Sequence, residues 1–226
     1  MYCMREKIKK FSLLLFLSFN AFSLYSNVKS YWEIKFLEVD RQISEFSCGA
    51  AVLATLFTYY FGIPVKEEEI LGNIFKKIVE EKRGISFLDM KKFAHNYGFD
   101  VYGYRLNFGG LVRVFEENCV PVIVQTKKVF QGKEEFHFSL LVGIVDGYII
   151  LKDTSVGNIV VSYYDFLSKW TGYTLLIRPN IETILINVSN KVKKEKERTA
   201  KYVSKIYFYQ YHPKRFYNSF FYPFNK

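Results

Sequence analysis

Two apolar strings in the second half of the chain limit what it can fold into. Phe136–Ile144 and Tyr148–Asp153 flank Val145-Asp146-Gly147. Apolar residues on either side of an Asp-Gly pair are a β-hairpin signal. Further strands are predicted over Val101–Leu106, Val120–Thr126, Ile159–Ser162 and Tyr173–Ile177, with a charged loop over Lys127–Glu135. The first half reads differently. Ile70, Leu71, Ile74, Phe75 and Ile78 follow helical spacing over Val65–Val79. Ser86 and Asp89 form a capping box for a helix that Gly98 ends. Short helices are predicted over Gly109–Asn118 and from Tyr163 to Trp170. Helices first and strands later predict an α+β fold, with the N-terminal helices packed on a C-terminal antiparallel sheet.

The chain has 226 residues, half of them hydrophobic, which excludes a wholly disordered protein. No apolar run away from the N-terminus reaches the roughly 20 residues that cross a bilayer. The net charge of +10 suggests nucleic acid only until it is located. Residues 1–26 carry +3 and residues 181–226 carry +7, so the middle is neutral.

The organisation read from this is a signal peptide over 1–26, one main domain over 27–180 and a basic, aromatic C-terminal tail over 181–226. Basic residues up to Lys10, an apolar run from Phe11 and small residues at Ala21, Ser23 and Ser26 have the layout of an export signal cut after Ser23 or Ser26. The alternative is an uncleaved N-terminal anchor. Export makes the protein periplasmic or secreted and leaves Cys48 and Cys119 in an oxidising compartment. Cys119 reads as a buried free thiol. In the tail, Lys191–Lys201 reads as helical, and Tyr207–Phe224 interleaves ten aromatics with cations. Such a segment suits a membrane surface or a protein partner, and equally an extra layer on the main domain. Nucleic acid is a poor fit for an exported protein.

Chemistry concentrates in two places. Strong helix character begins at Cys48-Gly-Ala-Ala-Val-Leu-Ala, with Ser47 as the expected N-cap. The first turn of a helix favours a thiolate, and Gly49 and Ala50 are read as leaving room for a substrate chain. A buried cysteine packed as a small apolar residue is the alternative. Of the three histidines, His95 reads as a solvated helix residue and His212 lies in the tail. His137 begins the strand His-Phe-Ser-Leu-Leu-Val-Gly-Ile, where alternation puts His137, Ser139, Leu141 and Gly143 on one face. If Val145-Asp146-Gly147 is a three-residue loop, Asp153 sits opposite Ser139 and diagonally beside His137. A two-residue Asp-Gly turn moves it to the other face. Asp153 reads equally well as a strand-end turn residue, and Cys48, His137 and Asp153 also form a weak zinc set.

These segments together resemble the bacteriocin-processing, double-glycine peptidases, which are papain-like cysteine peptidases. The resemblance runs through Gln42-x5-Cys48-Gly-Ala-Ala, Tyr59-Tyr-Phe-Gly62, Gly84-Ile-Ser-Phe-Leu, Val120-Pro-Val-Ile-Val, His137-Phe, Lys152-Asp153, Gly157 and Phe166-Leu-x-x-Trp-Thr-Gly172. It implies Cys48 as nucleophile, His137 as general base and acid, Asp153 as the group orienting His137, and Gln42 as the oxyanion-hole side chain, with no cofactor. The partner it implies is a peptide or small-protein substrate. Ser47 stands where transporter-linked members commonly carry Asp. No transporter domains accompany this chain, so double-glycine specificity does not follow automatically. An idle peptide-binding module and a Cys-His-Asp acyltransferase are the alternatives.

Overall fold

The computed structural model describes residues 29–72, 84–130 and 133–211. Residues up to Lys35 and residues from Phe36 onward form two separate units. Of the first, the described part is a short helix, α1 (Tyr31–Lys35), begun by Ser30 and Glu33, which bond each other's backbone N–H.

The second unit is built around α2 (Cys48–Thr55), whose eight residues are all buried. Its sequence is apolar on every side, as befits a helix enclosed by other elements. It continues as a π-helical segment (Leu56–Phe61) that Gly62 ends with φ of +71°. Phe57 there meets Phe61, Phe93, Tyr97 and Phe99 with ring centroids 5.0–5.4 Å apart. Helix α3 (Glu67–Gly72) is the described part of the helix expected over Val65–Val79, and residues 73–79 lie outside the described residues. Helix α4 (Phe87–Asn96) begins with the predicted capping box. Ser86 Oγ accepts from Asp89 N at 3.2 Å and Asp89 Oδ2 accepts from Ser86 N at 3.0 Å.

The rest supplies β1 (Asp100–Arg105), α5 (Phe108–Asn118), β2 (Val122–Phe130), β3 (Lys133–Val145), β4 (Tyr148–Asp153), β5 (Gly157–Ser162), α6 (Tyr163–Lys169), β6 (Trp170–Arg178) and α7 (Glu182–Tyr211). The six strands form one antiparallel sheet in the order β1-β6-β2-β3-β4-β5. The expected α+β architecture holds.

Several local expectations are corrected. The charged loop expected over Lys127–Glu135 is replaced in its described parts by strand: β2 runs to Phe130 and β3 starts at Lys133, with Lys127 opposite Phe136 and Lys128 opposite Glu135. Opposite charges across the strands, such as Lys127 Nζ to Glu134 Oε2 at 3.0 Å, stand where apolar alternation stops. The helix expected over Gly109–Asn118 is α5, which begins one residue earlier, at Phe108, and is capped by Asn107 accepting from Gly110 N. Cys119 is exposed, not buried. It ends α5 in the left-handed region with φ of 49°.

The hairpin corrects the sequence reading most usefully. Its turn is the two-residue Asp146-Gly147, both with positive φ, and Val145 pairs with Tyr148. That register alone would send Asp153 to the wrong face. A bulge at Val142 restores it: Gly143 pairs with Ile150, but Leu141 pairs with Leu151 and Ser139 with Asp153. The extra residue also moves Gly143 off the face shared by His137 and Ser139.

Helix α7 packs against β3 and the π-helical segment, burying Val188 and Val192. Lys191 Nζ reaches Glu38 Oε1 at 2.9 Å and the Tyr59 carbonyl at 2.6 Å.

Candidate active site

Helix α2 brings Cys48 to the site at its first residue, where backbone N–H groups have no partner within the helix. Ser47 does not cap it through its side chain. The Ser47 hydroxyl is turned back to Ser44, accepting from its N–H at 3.0 Å and donating to its carbonyl at 2.9 Å. Gly49 and Ala50 do not open the site either. Ala50 is fully buried, and a Cβ on Gly49 would stand 2.6 Å from Met90 Cε and 3.1 Å from Ile85 Cβ. The small residues allow α2 to pack closely on α4. They do not face a substrate.

The sheet delivers the other two groups. His137 Nε2 lies 2.8 Å from Asp153 Oδ2, and both side chains are buried. With Nε2 held by the carboxylate, Nδ1 is the nitrogen left for the thiol. Cys48 is the second polar neighbour of the ring. Burial draws the His137 pKa down, but hydrogen bonds to Asp153 and Cys48 and their charges outweigh it, so the net shift is upward from 6.5. Burial pushes Asp153 up, but its bond to His137, the imidazolium charge and Lys128 hold it well below the ordinary carboxylate range. The structure therefore brings Cys48, His137 and Asp153 together.

Asp153 makes two sets of bonds. Oδ2 holds the imidazole and accepts from Ser139 Oγ at 2.8 Å. Oδ1 closes the turn, accepting from Ser155 N at 2.9 Å and Val156 N at 3.1 Å. Ser139 and Ser155 support the carboxylate without having been singled out from the sequence. The Asp-Thr-Ser-Val-Gly turn signal was the available clue for Ser155.

Gln42 joins the site through a third element. Its backbone N–H bonds the Thr154 carbonyl at 3.0 Å, and Thr154 Oγ1 donates to Gln42 Oε1 at 3.0 Å. Gln42 Nε2 donates to the Ser44 carbonyl at 2.9 Å. A primary amide has two hydrogens, so one remains for another acceptor. Thr154, next to Asp153, thus ties the glutamine to the same strand end, a role the sequence did not announce. His95 is exposed on α4, and His212 lies outside the described residues. Among the described residues no group of three or more His, Cys, Asp or Glu is placed to hold a metal ion.

Comparison with known proteins gives a family, relatives and structural neighbours. The Peptidase C39 family model matches residues 37–182. Probable functional amyloid protease FapD from Pseudomonas aeruginosa PAO1 is 27% identical over 157 residues, as is its counterpart from Pseudomonas fluorescens. Each match covers 68% of this chain and 66% of the relative. The peptidase domain of Streptococcus ComA, a bifunctional ABC transporter, superposes with a TM-score of 0.52 at 22% identity, over 63% of this chain and 98% of that one. A double glycine motif protease from an AMS/PCAT transporter, solved with its leader peptide, gives 0.50 at 27% identity, over 63% and 91%. With a family match over most of the described unit, the chain belongs to the Peptidase C39 family of papain-like cysteine peptidases.

Proposed function

We propose that this protein is an exported cysteine peptidase that cuts a peptide or small-protein substrate through a thioester intermediate. The observation that carries the reading is the buried His137–Asp153 bond of 2.8 Å, with Cys48 close enough to the ring to help raise its pKa. In this reading His137 takes the Cys48 thiol proton and the sulfur attacks the scissile carbonyl carbon. The carbonyl oxygen becomes an oxyanion held by the Cys48 N–H and the remaining hydrogen of Gln42 Nε2. As the tetrahedral species collapses, the C–N bond breaks and His137 gives its proton to the leaving amine. A water then attacks the thioester, losing its proton to His137. The carboxylic acid product leaves and the thiol is restored.

Asp153 keeps the imidazole in one orientation and stabilises its positive form in both halves of the cycle. The leader-peptide complex of the AMS/PCAT enzyme supports a peptide substrate, with Gly-Gly before the cut as the first sequence to test. The FapD likeness supports a protein of a functional amyloid system as the natural source of that peptide. The charged, apolar and small-residue order of residues 1–26 supports export.

The direct test is incubation of the purified protein with a peptide carrying an internal Gly-Gly, read by mass spectrometry. Cleavage after the second Gly, lost in Cys48→Ala, is the expected result. Recovery of intact peptide together with alkylation of Cys48 that ignores His137→Ala would leave a binding module only. Sequencing the N-terminus of the mature protein tests export, with Leu24 or Asn27 as the expected first residue.

A further inference from the structure

Lys152 is the residue before Asp153 on β4, so their side chains leave opposite faces of the sheet. Asp153 points to the imidazole. Lys152 points away and is among the most enclosed side chains, 1% exposed. A buried ammonium needs partners, and these come from three parts of the chain. Asn158 Oδ1 accepts from it at 3.0 Å and the Leu37 carbonyl at 3.4 Å. Glu195 Oε1 of α7 stands at 3.5 Å and Glu38 Oε2 at 3.8 Å. Asn158 Nδ2 also donates to the Leu37 carbonyl, at 2.9 Å. Lys152 is thus a knot joining the end of β4, the start of β5 and the segment that leads from Leu37 to Gln42.

The buried carboxylate facing this knot is supplied from outside the residues that the family shares. Glu195 is 5% exposed and lies beyond residue 182, where the family match ends. Arg198 pairs with it from the solvent side.

We infer that Glu195 is a positioning residue for the peptidase site. Through Lys152 it fixes the strand end that carries Asp153 and the segment that carries Gln42. The inference rests on the triad reading above, and it adds that α7 completes the site. Replacing Glu195 by Gln removes the counter-charge with little change of shape. Among the described residues the buried ammonium then keeps only Glu38 as a carboxylate partner, at 3.8 Å and on a partly exposed residue. The knot loosens, and Asp153 and Gln42 lose their common anchor.

The test is the rate of Cys48 alkylation by iodoacetamide in the full chain, followed on the Cys48 peptide by mass spectrometry. Rates are read at about pH 6, where a thiol needs a cationic partner to react quickly, and at about pH 9.5, where an ordinary thiol needs none. The groups facing the pair are Asp153 and Lys128, and those facing Lys152 are Glu38, Glu195 and Arg198. Glu195→Gln is expected to lower the ratio of the two rates about tenfold while the protein stays folded by circular dichroism, and Glu195→Asp to restore most of it. Should Glu195→Gln fail to fold, Lys152→Met/Glu195→Met replaces the pair by apolar groups. It is expected to fold with the same lowered ratio, because the bonds to Leu37 and Asn158 are gone. An unchanged ratio in a folded Glu195→Gln or in the double variant overturns this inference alone. A ratio in the unaltered protein equal to that of His137→Ala overturns the triad reading and this inference with it.

Discussion

Ser139 stands directly across from Asp153 on the neighbouring strand, although the two-residue turn that joins those strands is one residue out of step with that pairing. The bulge at Val142 absorbs the difference. Deleting Val142 is therefore expected to leave Gly143 opposite Ile150 and Leu141 opposite Leu151, with the site intact. The fully buried valine side chain is lost, which costs about 1–3 kcal/mol and lowers Tm. Cys48 alkylation at about pH 6 should stay within about threefold of the unaltered rate. A fall to the rate of His137→Ala would mean that the strands had slipped, putting His137 and Asp153 on opposite faces.

Asp153→Asn separates the two duties of that side chain. An amide oxygen can still accept from Ser155 N and Val156 N, so the turn and the fold should persist. The charge that favours imidazolium disappears. Turnover of a cleavable peptide should fall by about 10²- to 10⁴-fold with a much smaller change in Tm. A matching loss of structure by circular dichroism would assign Asp153 to the turn alone.

Gln42→Ala should lower kcat by about 10²- to 10³-fold with little effect on KM, because the lost bond forms to the oxyanion and not to the ground-state carbonyl. Thr154→Val should reproduce part of this loss. It removes the hydroxyl that donates to Gln42 Oε1 but keeps the backbone bond from Gln42 N. An increase in KM alone, with kcat unchanged, would place Gln42 in substrate binding instead.

Stability should follow the same pair. The raised folded value of His137 gives stabilisation that is complete below 6.5 and is lost as pH rises through the folded value. The depressed value of Asp153 gives stabilisation present above 3.8 and lost as pH falls through its folded value. The pair should therefore contribute most between those two ordinary values. In thermal melts, His137→Gln should destabilise more at about pH 5.5 than at about pH 9. An equal loss at both would show that the ring matters through packing only.

Much of this site was legible because its chemistry demands particular residue types. Cys48 at a helix start and His137 on an alternating strand were marked by spacing alone, and strand pairing made Asp153 a conditional third. The condition was met by a route the sequence hides. A bulge between apolar residues has no Asp-Gly or Pro signal to mark it. Gln42 followed from the resemblance, not from its surroundings. Ser139 and Thr154 looked like ordinary strand and turn residues because their roles are hydrogen bonds across chain segments. Lys152 was the least legible. A lysine normally stays in water, and this one is enclosed by partners that include Glu195 from far along the chain. Gly49 was misread for the opposite reason: its smallness was taken as openness, but it serves a close helix contact.

The placement of α7 also bears on how this chain can be divided. A version ending at Glu182 would keep every residue of the family match, yet it would uncover the surface that Val188 and Val192 close and leave Lys152 without its nearest carboxylate. Homology here marks where ancestry is shared, not where the fold becomes self-sufficient. The smallest autonomous piece is expected to run well past that boundary.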